Sequence, residues 1–474
     1  MAVETKQPGP PGGGAITLQQ LFARGAKLHQ AGNYDDAIAV YRRLVVAAPR
    51  HGASWTNLGV LWRIRKKPDL AVICHRQALA IDSSQAGAWS NLGNALKDLE
   101  RFEEALAAHR RAVELSADSA LHWHNFGVTL REAGLIEEAV RALDRAIEIQ
   151  PEHVDAHWDR GLCNLSLGRY GEAWPDYAWR WRLNEMKNVV TPQAPLWDGA
   201  PLDGRTLLLH AEQGFGDTIL ALRYLPKLSG LGGRIILHVQ AEVVRLAGKL
   251  PNVDLIVPRP QPAPPADVRL PLMDLLALYT PSPEAIPDPA PLAVPADAGG
   301  KALGVLHHFR KRFKIGVVWS GSVTFKNNHR RAVDLQRFLP FGEIPDVQLF
   351  SLQKGPPFEN FKKFDPAPAV VDLGSLFQDF ADTAAALRQL DLVIMTDSSV
   401  AHLAASLGVP VWNLLNFQSY WIYAEATGMD TTPWYGSMRL FRQPSPSKWD
   451  GVFEQVRQAL EMHVAAWRAS GGGL

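Results

Sequence analysis

Apolar positions follow two rhythms along this chain: a helical one as far as about residue 187, and after Arg205 an alternation of short apolar runs with helical stretches. In the first part small residues recur every 34 positions, as Gly25, Gly59, Gly93, Gly127 and Gly161 in one register and Ala37, Ala71, Ala105, Ala139 and Ala173 in another. Small side chains at fixed intervals let paired helices approach closely, so the pattern predicts stacked helical hairpins. Trp55, Trp89 and Trp123, four residues before their glycines, are placed to fill the gaps between hairpins, and Pro49 and Pro151 close two of the units. The aromatic stripe Trp174, Tyr177 and Trp181, with Trp179 beside it, is expected to weld the repeats to the strands and helices after them. The later runs "TLLLH", "RIILHVQ", "KIGVVWS", "VQLFSLQ", "DLVIMT" and "VPVWNLL" alternate with helical patterns, which predicts parallel βαβ units. Two sets are expected, separated by "PRPQPAPPADVRL" and the Pro-rich run from Pro281 to Pro295. They read as two Rossmann-like lobes with their sites past the carboxyl ends of the strands.

The 34-residue period resembles the tetratricopeptide repeat, with five units from about residue 18 to 187. Two residues before the repeat glycine stand Asn57, Asn91 and Asn125, followed by Asp159 and preceded by Ala23. A ladder of amides can both donate to and accept from the backbone of an extended peptide, whatever its side chains. The same ladder occurs in the superhelix of the eukaryotic O-linked N-acetylglucosamine transferase, which this region resembles. The expected partner is therefore an acceptor protein or peptide; the alternative is that these amides bond only to neighbouring helices.

Composition narrows the classes. The 474 residues are 47% apolar and 20% charged with a net charge of +1, so no broad basic field is available for nucleic acid or an anionic membrane. Cys74 and Cys163 form no C-x-x-C pair and read as buried small hydrophobes, which gives no metal cluster and fits a reducing compartment. The opening "MAVETKQPGPPGGGA" has no apolar core of a signal peptide, and no run reaches roughly 18 apolar residues. A cytoplasmic location is the resulting expectation. The expected divisions are a tail at 1–16, a solenoid at 17–187, a first lobe at 188–302, a second lobe at 303–448 and a final helix and tail at 449–474.

Two turns carry candidate chemistry. "EQGFGD" follows a strand and opens a helix, but Ile219 stands where a nicotinamide-binding turn has its third glycine. It offers two residues without Cβ, Gly214 and Gly216, and a carboxylate, Asp217, at the helix start; Asp217 as a simple N-cap is the competing reading. In the second lobe Asp397, Ser398 and Ser399 put backbone amides and hydroxyls at a helix N-terminus, suited to a diphosphate, with His402 one turn along. Lys354, Lys326, Arg330 and Arg331 also follow strands of that lobe and favour a phosphate pocket at its edge.

Together "LLLHAEQGFGDTILALRYLP", "GVVWSGS", "SLQKGP", "TDSSVAHLAASLGVPVW" and "PWYGSMRLFRQ" resemble bacterial proteins that fuse tetratricopeptide repeats to a GT-B glycosyltransferase. Their catalytic part is similar to the lipopolysaccharide heptosyltransferases, and some alphaproteobacterial members modify flagellin. The resemblance implies an all-α solenoid followed by an α/β GT-B region that moves a sugar from a nucleotide-sugar donor to a side-chain hydroxyl, with the final helix packed back across both lobes. It implies that Asp217 is the base that deprotonates the acceptor, with His210 as rival. "TDSSVAH" matches the family's donor-phosphate motif, with Ser398 and Ser399 in place of Thr and Gly, and Ser320 lies in the matching "GVVWSGS". Lys326 or Arg331 stands where the family has its phosphate-binding lysine, and Lys354 and His402 complete the donor side. The implied transfer is inverting and without a cofactor, and because no Asp-x-Asp triad occurs it is expected to be metal-independent. A repeat scaffold with a degenerate transferase fold, or a transferase acting on a glycan or lipid, are the other readings.

Overall fold

The structure is a computed structural model that describes residues 17–186, 191–212, 214–325, 327–423 and 428–472. The chain divides into two compact units, the first ending at Ala156 and the second running from His157. Helical hairpins come first: α1 (Leu18–Gln30) with α2 (Tyr34–Ala47), α3 (Gly52–Ile64) with α4 (Pro68–Ile81), α5 (Ala86–Asp98) with α6 (Phe102–Leu115), α7 (Ala120–Glu132) with α8 (Ile136–Ile149), and α9 (Val154–Ser166) with α10 (Tyr170–Tyr177). Thr17 starts the series with a capping box, its hydroxyl accepting from the Gln20 amide while its own amide donates to the Gln20 side chain. The 34-residue glycines have a steric cause. Each faces the residue sixteen positions on, and a Cβ would stand 2.9 Å from Tyr41 at Gly25, 2.6 Å from His75 at Gly59, 2.5 Å from His109 at Gly93 and 2.7 Å from Leu143 at Gly127. The repeat tryptophans are half-buried, and each indole N–H donates to a turn carbonyl six residues earlier: Trp55 to Pro49, Trp89 to Ser83 and Trp123 to Ala117. They latch the turns between hairpins as well as filling space.

In the second unit the aromatic stripe does weld α10 to the sheets. Trp174 donates to the Thr280 carbonyl at 2.6 Å, and Tyr170 accepts from the Trp434 indole at 2.9 Å. The first sheet is parallel, with β1 (Thr206–His210), β2 (Arg234–Gln240), β3 (Leu255–Arg259) and β4 (Val268–Pro271) in the order β3-β2-β1-β4. "PRPQPAPPADVRL" therefore lies inside this sheet's domain and does not separate two lobes. Its ends belong to β3 and β4, the two edge strands, where a proline removes no ladder hydrogen bond. The second sheet has β5 (Phe313–Val318), β6 (Val347–Ser351), β7 (Val370–Asp372), β8 (Leu392–Thr396), β9 (Val411–Leu415), β10 (Thr431–Thr432) and β11 (Tyr435–Arg442), in the order β10-β11-β9-β8-β5-β6-β7. Only the β10–β11 pair is antiparallel, and the parallel strands follow the 3-2-1-4-5-6 order of doubly wound sheets. The final helix, Asp450–Ala469, does not cross both lobes as the resemblance implies. Its apolar face packs on the second sheet, with Phe453, Val456, Leu460 and Val464 among Phe313, Phe338, Phe341 and Trp412. Ion pairs of Arg457 with Glu343 and Arg468 with Asp346 hold it to that side. No helix among the described residues is long and apolar enough to cross a membrane.

Candidate functional site

In a doubly wound sheet the crevice opens where the strand order reverses, which here means past β1 and β4 in the first sheet and past β5 and β8 in the second. The turn after β1 is pinned by two arginines. Arg259 donates to the Ala211 and Glu212 carbonyls at 3.0 and 2.9 Å. The Glu212 carboxylate is held by Arg180, which also reaches Asp274 at 2.6 Å. Gly214 then caps the helix Phe215–Ala221 with extended backbone (φ −82°, ψ 138°), so Asp217 is the third residue of that helix and not its N-cap. Its carboxylate turns back over Gly214, where a Cβ would stand 2.7 Å from Oδ2. Gly216 is required for another reason, because a Cβ there would stand 2.9 Å from the ring of His402, which belongs to the second sheet's helix Ser399–Ser406.

Asp217 accepts a hydrogen bond from Tyr420 at 3.1 Å, a contact that spans the two sheets' domains. Asp217 keeps partial solvent access, but loss of water around it, reinforced by the charges of Glu212 and Asp397, lifts its carboxyl to about 6. His210 moves the opposite way. Burial and the nearby Arg269 guanidinium, 3.4 Å from Nε2, push it down to about 4, so it faces its own sheet as a neutral and weak base.

Across from this turn, β8 is followed by Asp397, whose two oxygens are taken by Arg331 at 3.1 Å and the Tyr423 hydroxyl at 2.6 Å. Ser398 caps the helix Ser399–Ser406 by accepting from the Val400 amide at 3.4 Å, so one of the two expected free hydroxyls is engaged in the cap. His402 is buried with Nδ1 on the Tyr435 hydroxyl at 3.0 Å, and burial pushes its imidazole down to about 4. It is therefore an uncharged strut between the domains at neutral pH rather than a cation for a diphosphate. Past β5, Ser320 is buried and accepts from Asn328 at 3.0 Å, while the Gln353 side chain accepts from the Trp319 and Ser320 amides and donates to the Ser320 carbonyl. Asn328 also accepts from Arg331 at 3.1 Å, which strings Ser320, Asn328, Arg331 and Asp397 into one network.

The predicted residues thus divide. Asp217, Arg331, Asp397, Ser399 and His402 converge on the interface of the two sheets' domains, with Ser320 joined through Asn328. Lys354 does not join them: its ammonium is spent on the Phe377 carbonyl. Arg330 donates to Gln418 at 2.5 Å, and Lys326 lies outside the described residues. Glu212, Arg180, Tyr420, Tyr423, Gln353 and Asn328 were not foreseen. A strand-end position was the one signal available for Glu212 and Gln353. In the first unit Asn57, Asn91 and Asn125 occupy one register of α3, α5 and α7; Asn57 donates to the Tyr41 hydroxyl at 3.0 Å and Asn125 to the Ser90 hydroxyl at 3.1 Å. The bonds to neighbouring helices foreseen as the alternative are therefore present, though each engages only one of the amide's hydrogens. Among the described residues no group of three or more His, Cys, Asp and Glu is arranged to hold a metal ion.

Profiles of the tetratricopeptide repeat match residues 84–152 and, in a second form, 23–86 and 124–181, so the helical hairpins are repeats of that kind. The protein FlbA of Caulobacter vibrioides is 26% identical over 347 residues, 65% of this chain and 55% of its own. The chain thus spans about half the length of that relative. Among solved structures, MamA is 24% identical with a TM-score of 0.31, covering 34% of this chain and 95% of its own. A thermophilic TPR protein of Thermus thermophilus is 19% identical with a TM-score of 0.32, covering 36% and 93%.

Proposed function

We propose that residues 188–474 form a GT-B glycosyltransferase and that the repeats at 17–187 recruit its protein acceptor. The observation that carries this reading is Asp217, a carboxyl lifted to about 6, set against the Asp397–Arg331 pair and the N-terminus of the helix Ser399–Ser406 where two parallel sheets face each other. A carboxylate titrating near 6 is ionised at neutral pH yet basic enough to accept a proton from a hydroxyl as that hydroxyl attacks. In the proposed step the acceptor oxygen loses its proton to Asp217 and bonds to the anomeric carbon, while the bond from that carbon to the donor's diphosphate breaks on the opposite face. The leaving nucleoside diphosphate takes the electron pair. Arg331 and the backbone amide at Ser399 receive its charge, with Ser320 and Asn328 holding Arg331 in place. For this Arg331 must exchange Asp397 for phosphate, and Tyr420 must yield part of its hold on Asp217 to the acceptor. The acceptor class is a side-chain hydroxyl on a protein, with flagellin the candidate that the family resemblance implies.

The second reading, a binding scaffold that has kept a transferase-like fold, is favoured by how fully the cations are engaged: Arg331 on Asp397, Arg330 on Gln418 and Lys354 on a carbonyl. Nucleoside diphosphates distinguish the two. Thermal unfolding with UDP, GDP or ADP in EDTA should show stabilisation by one of them, about 2.7 kcal/mol at 100 times its Kd, and this should shrink in Arg331→Ala. Absence of stabilisation by every nucleotide gives preference to the scaffold.

A further inference from the structure

The repeats supply an internal control for their own surface. Where α2, α3 and α4 meet, an apolar groove of about 470 Å³ is lined by Trp55, Leu58, Trp62, Leu70 and Ile73 with Val46 at its lip. Val46 is 80% exposed and Ile73 54% exposed. One and two repeats further on, the same register positions carry different chemistry. Val46 corresponds to Ala80 and Glu114, Ile73 to Ala107 and Arg141, and Leu70 to Glu104 and Glu138. At the next interval the structure closes this position with an ion pair, Arg76 to Glu104 at 2.7 Å. In the groove Arg42 holds the register of Arg76, but Leu70 replaces the glutamate, and Arg42 makes no ion pair among the described residues.

Charge follows the same division. Residues 34–81 carry eight Lys or Arg against three Asp or Glu, whereas residues 82–149 carry seven against twelve. Arg42, Arg43, Lys66 and Lys67 are all exposed. An apolar slot with the exposed Arg42 in its wall, in a stretch of net positive charge, is complementary to an aliphatic side chain beside a carboxylate, and the chain makes that Arg–carboxylate pairing for itself one repeat later with Arg76 and Glu104. We propose that the groove between α2, α3 and α4 docks an acidic amphipathic helix of a partner protein, apolar face in the slot and a carboxylate on Arg42. Helix-in-groove recognition needs only a short apolar stripe and a few flanking charges. No lining residue belongs to the asparagine ladder or to the Asp217 site, so this docking stands or falls independently of the transferase reading.

The probe is a fluorescent synthetic helix with leucines in one stripe and glutamates on both flanks, titrated into the full chain and followed by anisotropy. Saturable binding is expected. Val46→Glu with Ile73→Arg, which copies residues the chain already carries at Glu114 and Arg141, should weaken it at least about tenfold, or 1.4 kcal/mol. Arg42→Ala should weaken it severalfold and flatten its salt dependence. A probe with lysines for glutamates should bind at least about tenfold more weakly. The proposal is overturned if the acidic probe does not bind, or if it binds the double variant as well as the wild type. It is also overturned if sedimentation shows wild-type dimers that the double variant abolishes, which would give the groove to a second copy. Binding seen only after removal of residues 1–16 would give it to the chain's own tail.

Discussion

At the scale of single residues, Asp217 carries two opposed demands. Its folded-state value of about 6 lies above the ordinary 3.8, so the folded protein holds the proton more tightly than the unfolded chain. Its contribution therefore favours the fold below pH 4 and is lost as pH rises through 6, the window in which the proposed base becomes active. Asp217→Asn keeps size and the Tyr420 contact but accepts no proton. Transfer should fall about 100-fold or more, while nucleotide binding persists and thermal stability at pH 8 rises relative to wild type. An Asn variant that transfers at the wild-type rate removes Asp217 from the chemistry. The carboxylate itself was legible, because it follows a strand and two glycines. Its setting was not: Tyr420 lies 203 residues away, and nothing local in "NFQSYWIY" marks a tyrosine that crosses between two domains. The same holds for Arg331, whose charge read as available for phosphate until Asp397, 66 residues on, proved to be its partner.

At the scale of elements, the residue facing each repeat glycine decides how well a hairpin is satisfied. Tyr41 and Leu143 suit that place, but His75 and His109 are fully buried there with both ring nitrogens unpaired among the described residues. Burial pushes His75 down to about 4 and His109 to about 3. Because the unfolded chain takes up protons first, stability should fall as pH drops below the ordinary 6.5, by about 1.4 kcal/mol per unit for each histidine until its folded value is reached. His109→Leu copies Leu143 and removes two unpaired buried groups, so it should be neutral or stabilising at pH 7 and should flatten the acid side of the profile. A lower Tm at pH 7 and an unchanged acid slope would show that His109 has a partner. Periodicity was enough for the hairpins, since a close approach leaves small residues at a fixed interval. It was enough for β1, β2, β5, β6, β8 and β9, which are apolar on both faces. It failed for β3 and β4, where Pro258 and the residues as far as Leu270 read as linker although edge strands tolerate proline, and for β7, which is only three residues long.

At the scale of the whole molecule, the proposed reading assigns two tasks to two units, and the tasks should separate by mutation. Asn57, Asn91 and Asn125 belong to the first unit, whereas Asp217, Arg331 and Asp397 belong to the second. Replacing the three asparagines by Ala should weaken acceptor binding and raise KM for acceptor, with kcat and nucleotide binding little changed. The loss should be graded, since each amide contact is worth about 0.5 to 1.5 kcal/mol. Asn57 and Asn125 already give one hydrogen to Tyr41 and Ser90, so part of their loss should appear as lower stability of the repeats. Asn91 makes no such side-chain bond among the described residues and should report on the peptide most cleanly. Single variants therefore sort the two causes. If Asn91→Ala leaves acceptor KM unchanged while Asn57→Ala and Asn125→Ala lower only Tm, the ladder is a packing feature and the acceptor is held elsewhere.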